Sequence, residues 1–442
     1  MSIELITILM FGGLIFLLIL GMPVAFATGA LAVVFIFFLW SPGALVVVAL
    51  RTFGQMYQYL LFAIPLFIFL ASMMQQAGII EDMFITFREW TGRLGGGLAI
   101  ASVLVGTLLA AVVGVIGAAV VTMGIIALPV MLKRKYSKGI ALGSIMAGGT
   151  LGILIPPSVL FIIYALVAGE SCGKLFIGGI LPGLVLSALF CLYIGIRCWR
   201  NPELGPPLSK EELAELTWKR KFIDLRGIAF PVGIILAVFG AIFTGVASIT
   251  ESAGVGAFLA CVCAATKGQL TWKNLKAASN QTVVATCMVM WTIFGAQAFV
   301  VFYIAVGGGE FMARLLLGTG LGPYGILALI MAILIFLGCF LDWVGIMLLC
   351  VPIFLPIIIA LGFDPLWFGI IYNVNMQMSF LSPPFGYALF YIKGVAPPGI
   401  SMEDIIKAAL PFLGLQFIGL LICIRWPIIC LWLPSLVFVG FK

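Results

Sequence analysis

From Gly139 to Ala168 the chain runs without one charged side chain, and a pair of adjacent prolines, Pro156-Pro157, stands inside the run. An α-helix needs roughly 20 apolar residues to cross the hydrocarbon of a bilayer, and this stretch exceeds that. Comparable stretches lie near 4 to 20, 24 to 48, 57 to 77, 177 to 199, 228 to 245, 250 to 266, 281 to 305, 365 to 392 and 408 to 434, which brings the expected crossings to ten. Of 442 residues 64% are hydrophobic and 9% charged, whereas soluble domains carry about a quarter charged. The expected fold class is an all-α polytopic membrane protein embedded in the lipid bilayer, with no sizeable water-soluble domain.

Composition then closes off several chemistries. There is no histidine, so triads with a His base, His-ligated zinc and HExxH proteases are excluded. The ten cysteines are scattered through apolar segments and indicate neither a disulfide framework nor a metal knuckle. Gly169-Glu170-Ser171-Cys172-Gly173-Lys174 imitates a phosphate loop, but it has one residue too few between its glycines and no Ser or Thr after the lysine. An intramembrane enzyme would need a catalytic dyad, and the two acids inside apolar segments, Glu251 and Asp342, stand far apart in the chain. No enzyme activity, no organic cofactor and no nucleic-acid partner are expected. The start Met1 to Glu4 lacks a basic region, and the run to Leu20 ends without a small-residue cleavage site, so a retained first helix is expected.

Two further apolar stretches, 95 to 131 and 322 to 360, are too long for one helix and too short for two full spans, and each has a glycine-rich middle. They read as re-entrant hairpins. If both return to the side they came from, 18 of the 23 Lys and Arg collect on one side, among them Lys133 to Lys138, those between Arg197 and Arg226, and Lys267 to Lys276. The positive-inside rule makes that side the cytoplasm and places both termini outside it.

Shifting the chain against itself by 227 residues lays Gly29 on Gly256, Leu94-Gly95 on Leu321-Gly322, Pro129 on Pro356 and Pro156-Pro157 on Pro383-Pro384. A further slip of two lays Leu181-Pro182 on Leu410-Pro411. The expected organisation is a tandem repeat: a first half 1–199, a cytoplasmic linker 200–227 and a second half 228–442. Five crossings per half turn the second copy upside down, the inverted-topology design of secondary transporters.

Adjacent prolines remove two amide donors and stop a helix. The expected broken helices are 139–168 and 365–392. Carbonyls freed there replace the water shell of Na⁺, and a proline kink eased by neighbouring helices is the alternative. The first candidate ion site combines Gly114 and Gly117 of one hairpin tip with Gly149, Thr150 and Pro156. The second combines Asp342 with Gln377, Ser379, Ser382 and Pro383. Ala118, Ser158, Trp343 and Asn375 are the candidate cargo contacts, since hairpin turns bring helix N-termini suited to an anionic head group. An acid at bilayer depth is a functional candidate; for Glu251, helix capping and ion coupling stay open.

Gly149 to Ser158, Gly173 to Gly183, Thr250-Glu251 and Ser382 to Tyr391 followed by Gly394 to Pro397 resemble the large membrane subunit, DctM-like, of tripartite ATP-independent periplasmic (TRAP) transporters, over essentially the whole chain. The resemblance implies a Na⁺-coupled elevator importer of organic anions in the bacterial inner membrane. It also implies two separate partner chains, a small four-helix membrane subunit and a soluble periplasmic substrate-binding protein. The first hairpin tip departs from the family's hydroxyl-rich pattern, so backbone atoms are the ligands expected there. A self-sufficient Na⁺ or H⁺ symporter that needs no binding protein is the competing reading.

Overall fold

The structure is a computed structural model and describes residues 1–113, 116–209, 211–212, 224–384 and 386–438. Twenty α-helices and no strand occur among the described residues. The first half holds α1 (Ile3–Ile19), α2 (Val24–Leu39), α3 (Val46–Met56), α4 (Ala63–Gln76), α5 (Ile79–Thr91), α6 (Gly97–Val113), α7 (Ile116–Lys133), α8 (Lys138–Thr150), α9 (Val159–Ala168) and α10 (Cys172–Arg200). The second holds α11 (Arg226–Phe243), α12 (Ile249–Thr266), α13 (Trp272–Ala305), α14 (Gly308–Leu317), α15 (Pro323–Gly338), α16 (Trp343–Ala360), α17 (Pro365–Leu381), α18 (Tyr387–Val395), α19 (Met402–Arg425) and α20 (Ile428–Val437). Seven helical stretches are long and apolar enough to cross a membrane, α7, α10, α12, α13, α16 and α19 among them.

The helix boundaries recur with the spacing of the prolines. Shifted by 227, α7 falls on α16 at both ends and the start of α8 falls on the start of α17. One element departs: α13 is continuous where the first half is interrupted between α3 and α4 by the short 3₁₀ turn Tyr59–Phe62.

Helix starts follow local chemistry. Ser137, Ser158, Ser171 and Thr271 each accept an amide hydrogen bond at an N-terminus, and Ser248 with Glu251 and Ser401 with Asp404 form reciprocal capping boxes. Glu251 is therefore an exposed cap of α12. Some expected spans end early. The stretch 24 to 48 stops at Leu39, because Pro42 holds Ser41 extended, and 408 to 434 is divided at Trp426-Pro427.

At the centre lie α8, buried from Ile140 to Thr150, and α17, buried from Leu366 to Leu381. Helices covered on every face belong in the middle of a bundle. Around them pack α6, α7, α9, α15, α16 and α19, while α2 and α4 pack on α13 at one flank. The contact between α2 and α13 requires Gly295, where a Cβ would lie 2.1 Å from the Ala25 carbonyl.

Polar links tie helix ends in two sets. Lys138 pairs with Asp404 at 2.8 Å, Arg134 with Glu212, and Lys267, at the end of α12, with Asp82. At the other end of α12 the Thr250 hydroxyl donates to the Tyr59 carbonyl at 3.2 Å. Thr7 and Tyr303 share a hydrogen bond at 3.1 Å, and the Tyr164 hydroxyl donates to the Pro365 carbonyl at 2.6 Å. The first set is ion pairs and the second is hydrogen bonds between neutral groups. The Arg134 guanidinium pulls the Glu212 carboxyl down to about 2.

Candidate functional site

The first break follows from Pro156-Pro157. Helix α8 ends at Thr150, Leu151–Ile153 tighten into a 3₁₀ turn, and the chain stays non-helical to Ser158. Ser158 is a builder of this turn: its hydroxyl donates to the Ile153 carbonyl and accepts from the Phe161 amide. It was expected to face cargo, but its hydrogen bonds are spent within the chain. Gly149 packs on α7, where a Cβ would lie 2.4 Å from Val120. Thr150 donates to the Ala147 carbonyl at 2.8 Å and accepts from the Gln416 side chain at 2.9 Å.

The second break leaves Ser382 to Pro384 outside any helix. The Ser382 hydroxyl donates back to the Met378 carbonyl at 2.8 Å. Asn375 donates to the Met331 carbonyl at 3.1 Å. Several buried polar atoms near the two breaks have no hydrogen-bond partner: both amide atoms of Gln377, Ser379 Oγ and Asn375 Oδ1 on α17, and Gln416 Oε1 beside Thr150. Burying such groups unpaired costs about 1 to 3 kcal/mol each, and a ligand that supplies a partner recovers that cost.

The turn between α15 and α16 spans Cys339 to Asp342. Asp342 is the N-cap of α16: Oδ2 accepts from the Val344 and Gly345 amides at 3.2 and 3.4 Å. The carboxylate is 5% exposed and its Oδ1 has no partner. The amides expected to receive an anionic head group at this tip are thus already occupied by the chain's own carboxylate. At the first tip, Gly117 and Ala118 lie in the first turn of α7, and Gly114 lies outside the described residues.

Gly117, Asp342 and Trp343 are brought together. They line a small cavity of about 50 Å³ with Ile153 of the first break and with Phe380 and Tyr387, which flank the second. Asp342 and Tyr387, with Met288 of α13, also border a larger cavity of about 590 Å³ whose far wall is the α1–α2 corner. Gly149, Thr150, Pro156, Asn375, Gln377, Ser379, Ser382 and Pro383 do not line either cavity; Gly149 and Thr150 end α8, Asn375, Gln377 and Ser379 lie on α17, and Pro156, Ser382 and Pro383 lie in the two breaks. Ser379 is against the second hairpin, since a Cβ on Gly338 would overlap its hydroxyl. Met288, Tyr387, Tyr391 and Gln416 were not anticipated. Gln416 carried a signal, a lone amide within the apolar run Pro411 to Ile424, whereas nothing local marks Met288.

Residues 11–429 match the family described as tripartite ATP-independent periplasmic transporter, DctM component. The chain is 32% identical to the C4-dicarboxylate TRAP transporter large permease protein DctM of Vibrio cholerae, covering 99% of this chain and 98% of that one. It is 29% identical to the ectoine TRAP transporter large permease protein TeaC of Halomonas elongata, covering 98% and 100%. Among solved structures, the YdaH transporter of Alcanivorax borkumensis has a similar fold, with a TM-score of 0.61 at 14% identity over 97% of this chain and 98% of that one.

Proposed function

This chain belongs to the DctM family and is the large permease of a TRAP transporter, and from that premise we propose that it imports a small organic anion coupled to Na⁺. The reading includes an elevator motion in which α6 to α9 and α15 to α18 move against a scaffold of α1 to α4 and α11 to α13. It includes a second half inverted relative to the first. It also includes residence in the bacterial inner membrane with both termini periplasmic, a small four-helix membrane subunit, and a periplasmic binding protein that delivers the cargo.

The observation that carries it is the convergence of both hairpins and both breaks on Asp342, whose buried Oδ1 is unpartnered. A dehydrated Na⁺ takes oxygen ligands, and Asp342 Oδ1, Gln377 Oε1, Ser379 Oγ and Gln416 Oε1 are buried oxygens without a hydrogen-bond partner. In the 227-residue shift Thr150 falls on Gln377, so one candidate ion position recurs in each half. Gly117, Gly149 and Pro156 would contribute backbone to the first, Ser382 and Pro383 to the second. Sidedness supports the same reading. The second hairpin tip reaches the α1–α2 corner, where a Cβ on Gly345 would lie 2.8 Å from Val24. With both termini periplasmic, as the reading has it, that corner is cytoplasmic and the crevice beside Asp342 would open inward.

Ion binding is testable without cargo. Purified full-length chain should melt several degrees higher in NaCl than in KCl of equal ionic strength, because Na⁺ at ~100 times its Kd adds about 2.7 kcal/mol. Gln377→Leu should abolish that difference. Equal melting of the wild type in both salts contradicts the reading.

A further inference from the structure

The larger cavity constrains the chemistry of the cargo, on the reading that cargo passes beside Asp342. Its walls are Met22, Val24 and Phe26 of the α1–α2 corner, Met288 and Trp291 of α13, and Phe340 of the second tip. Thr292 also lines it, but its hydroxyl donates to the Met288 carbonyl at 2.9 Å. Among the described residues no Lys or Arg lines this cavity or the smaller one, and the sole charged side chain in either is Asp342. The donors near the tips are neutral: the phenols of Tyr387 and Tyr391 and the indole of Trp343.

We propose that the cargo is a monocarboxylate with an apolar body, aromatic or branched, and that dicarboxylates are rejected. One carboxylate reaches the neutral donors of the inner cavity, with Na⁺ offsetting the charge of Asp342. The body fills the outer cavity between Trp291, Phe340 and Met288. The crevice is open on one side, with Trp291 57% and Met288 54% exposed, and its volume of about 590 Å³ leaves room for one ring and its substituents. A second carboxylate on the same cargo would enter the apolar part without a cation or a strong donor, and burying an unpaired charge is costly.

The test is isothermal titration of the full chain in nanodiscs, in NaCl, with phenylacetate, 4-methylpentanoate, succinate and glycine betaine. Phenylacetate and 4-methylpentanoate should bind at least about tenfold more tightly than succinate, the ratio that loss of one ring's burial produces. Trp291→Ala should weaken phenylacetate about tenfold and Trp291→Phe no more than about threefold. Succinate binding as tightly as phenylacetate overturns the proposal, and so does preferential binding of glycine betaine, which would make Asp342 the partner of a cationic group. Absence of a Na⁺-dependent melting shift would instead fail the underlying transport reading, whereas a normal shift with no preference among the four probes fails this proposal alone.

Discussion

Gln416 of α19 donates its side-chain amide to the hydroxyl of Thr150 at the end of α8, 2.9 Å away, and neither residue is exposed to solvent. The bond joins the last long helix of the second half to the break in the first. It leaves Gln416 Oε1 without a partner. If that oxygen is an ion ligand, Gln416→Leu should raise the Na⁺ concentration for half-maximal uptake about tenfold, equivalent to ~1.4 kcal/mol. Stability should change by less than about 1 kcal/mol, because the variant loses one hydrogen bond but also removes an unpaired buried oxygen. Uptake kinetics and a melting curve on the same preparation separate the two effects.

Asp342 has two separable duties. Oδ2 caps α16 and Oδ1 is free. Asp342→Asn keeps an acceptor for the cap and removes the charge, so it should weaken Na⁺ dependence by about 1 to 3 kcal/mol with little loss of stability. Asp342→Ala should lose the cap as well, at a further cost of about 0.5 to 2 kcal/mol in folding. If Asp342→Asn lowers the melting temperature by many degrees while the half-maximal Na⁺ concentration stays put, the residue is a cap alone.

How much of this was readable beforehand follows from how local each cause is. A double proline acts within its own turn, so the breaks at Pro156-Pro157 and Pro383-Pro384 stand where the sequence places them. Serine and aspartate caps are local too, and the second hairpin turn, Cys339 to Asp342, falls in the glycine-rich middle of the stretch 322 to 360. The short amphipathic helices α5 and α14 escaped notice because their mixed polarity reads as loop between long apolar runs. The bond of Ser158 is not legible in the sequence, since a hydroxyl beside a proline break looks the same whether it points to a ligand or back to Ile153. Which buried oxygens lack partners depends on packing between helices far apart in the chain, as Gln416 and Thr150 illustrate.

The double variant Pro383→Ala/Pro384→Ala tests the break itself. Two alanines restore both amides and permit α17 to continue, which withdraws carbonyls from the gap before α18. Transport should fall at least about tenfold with no loss of thermal stability, since helix propensity improves by up to about 3 kcal/mol at each position. A variant with unchanged uptake would make the break a passive kink.

Sidedness has its own check. Lys267 and Glu251 occupy opposite ends of α12 and both reach the surface. In a cysteine-free background, Lys267→Cys should react with an impermeant maleimide from the cytoplasmic face only, and Glu251→Cys from the periplasmic face only. Exchanged faces would mean that the first hairpin is a full crossing, and labelling of both from one face that α12 does not cross.

The most direct measurement is uptake into proteoliposomes holding the full chain, its small membrane subunit and cargo-loaded binding protein. An inward Na⁺ gradient should drive accumulation, and the same gradient of K⁺ should not. Equal accumulation in K⁺, with a proton gradient alone sufficient, would contradict Na⁺ coupling at the site around Asp342.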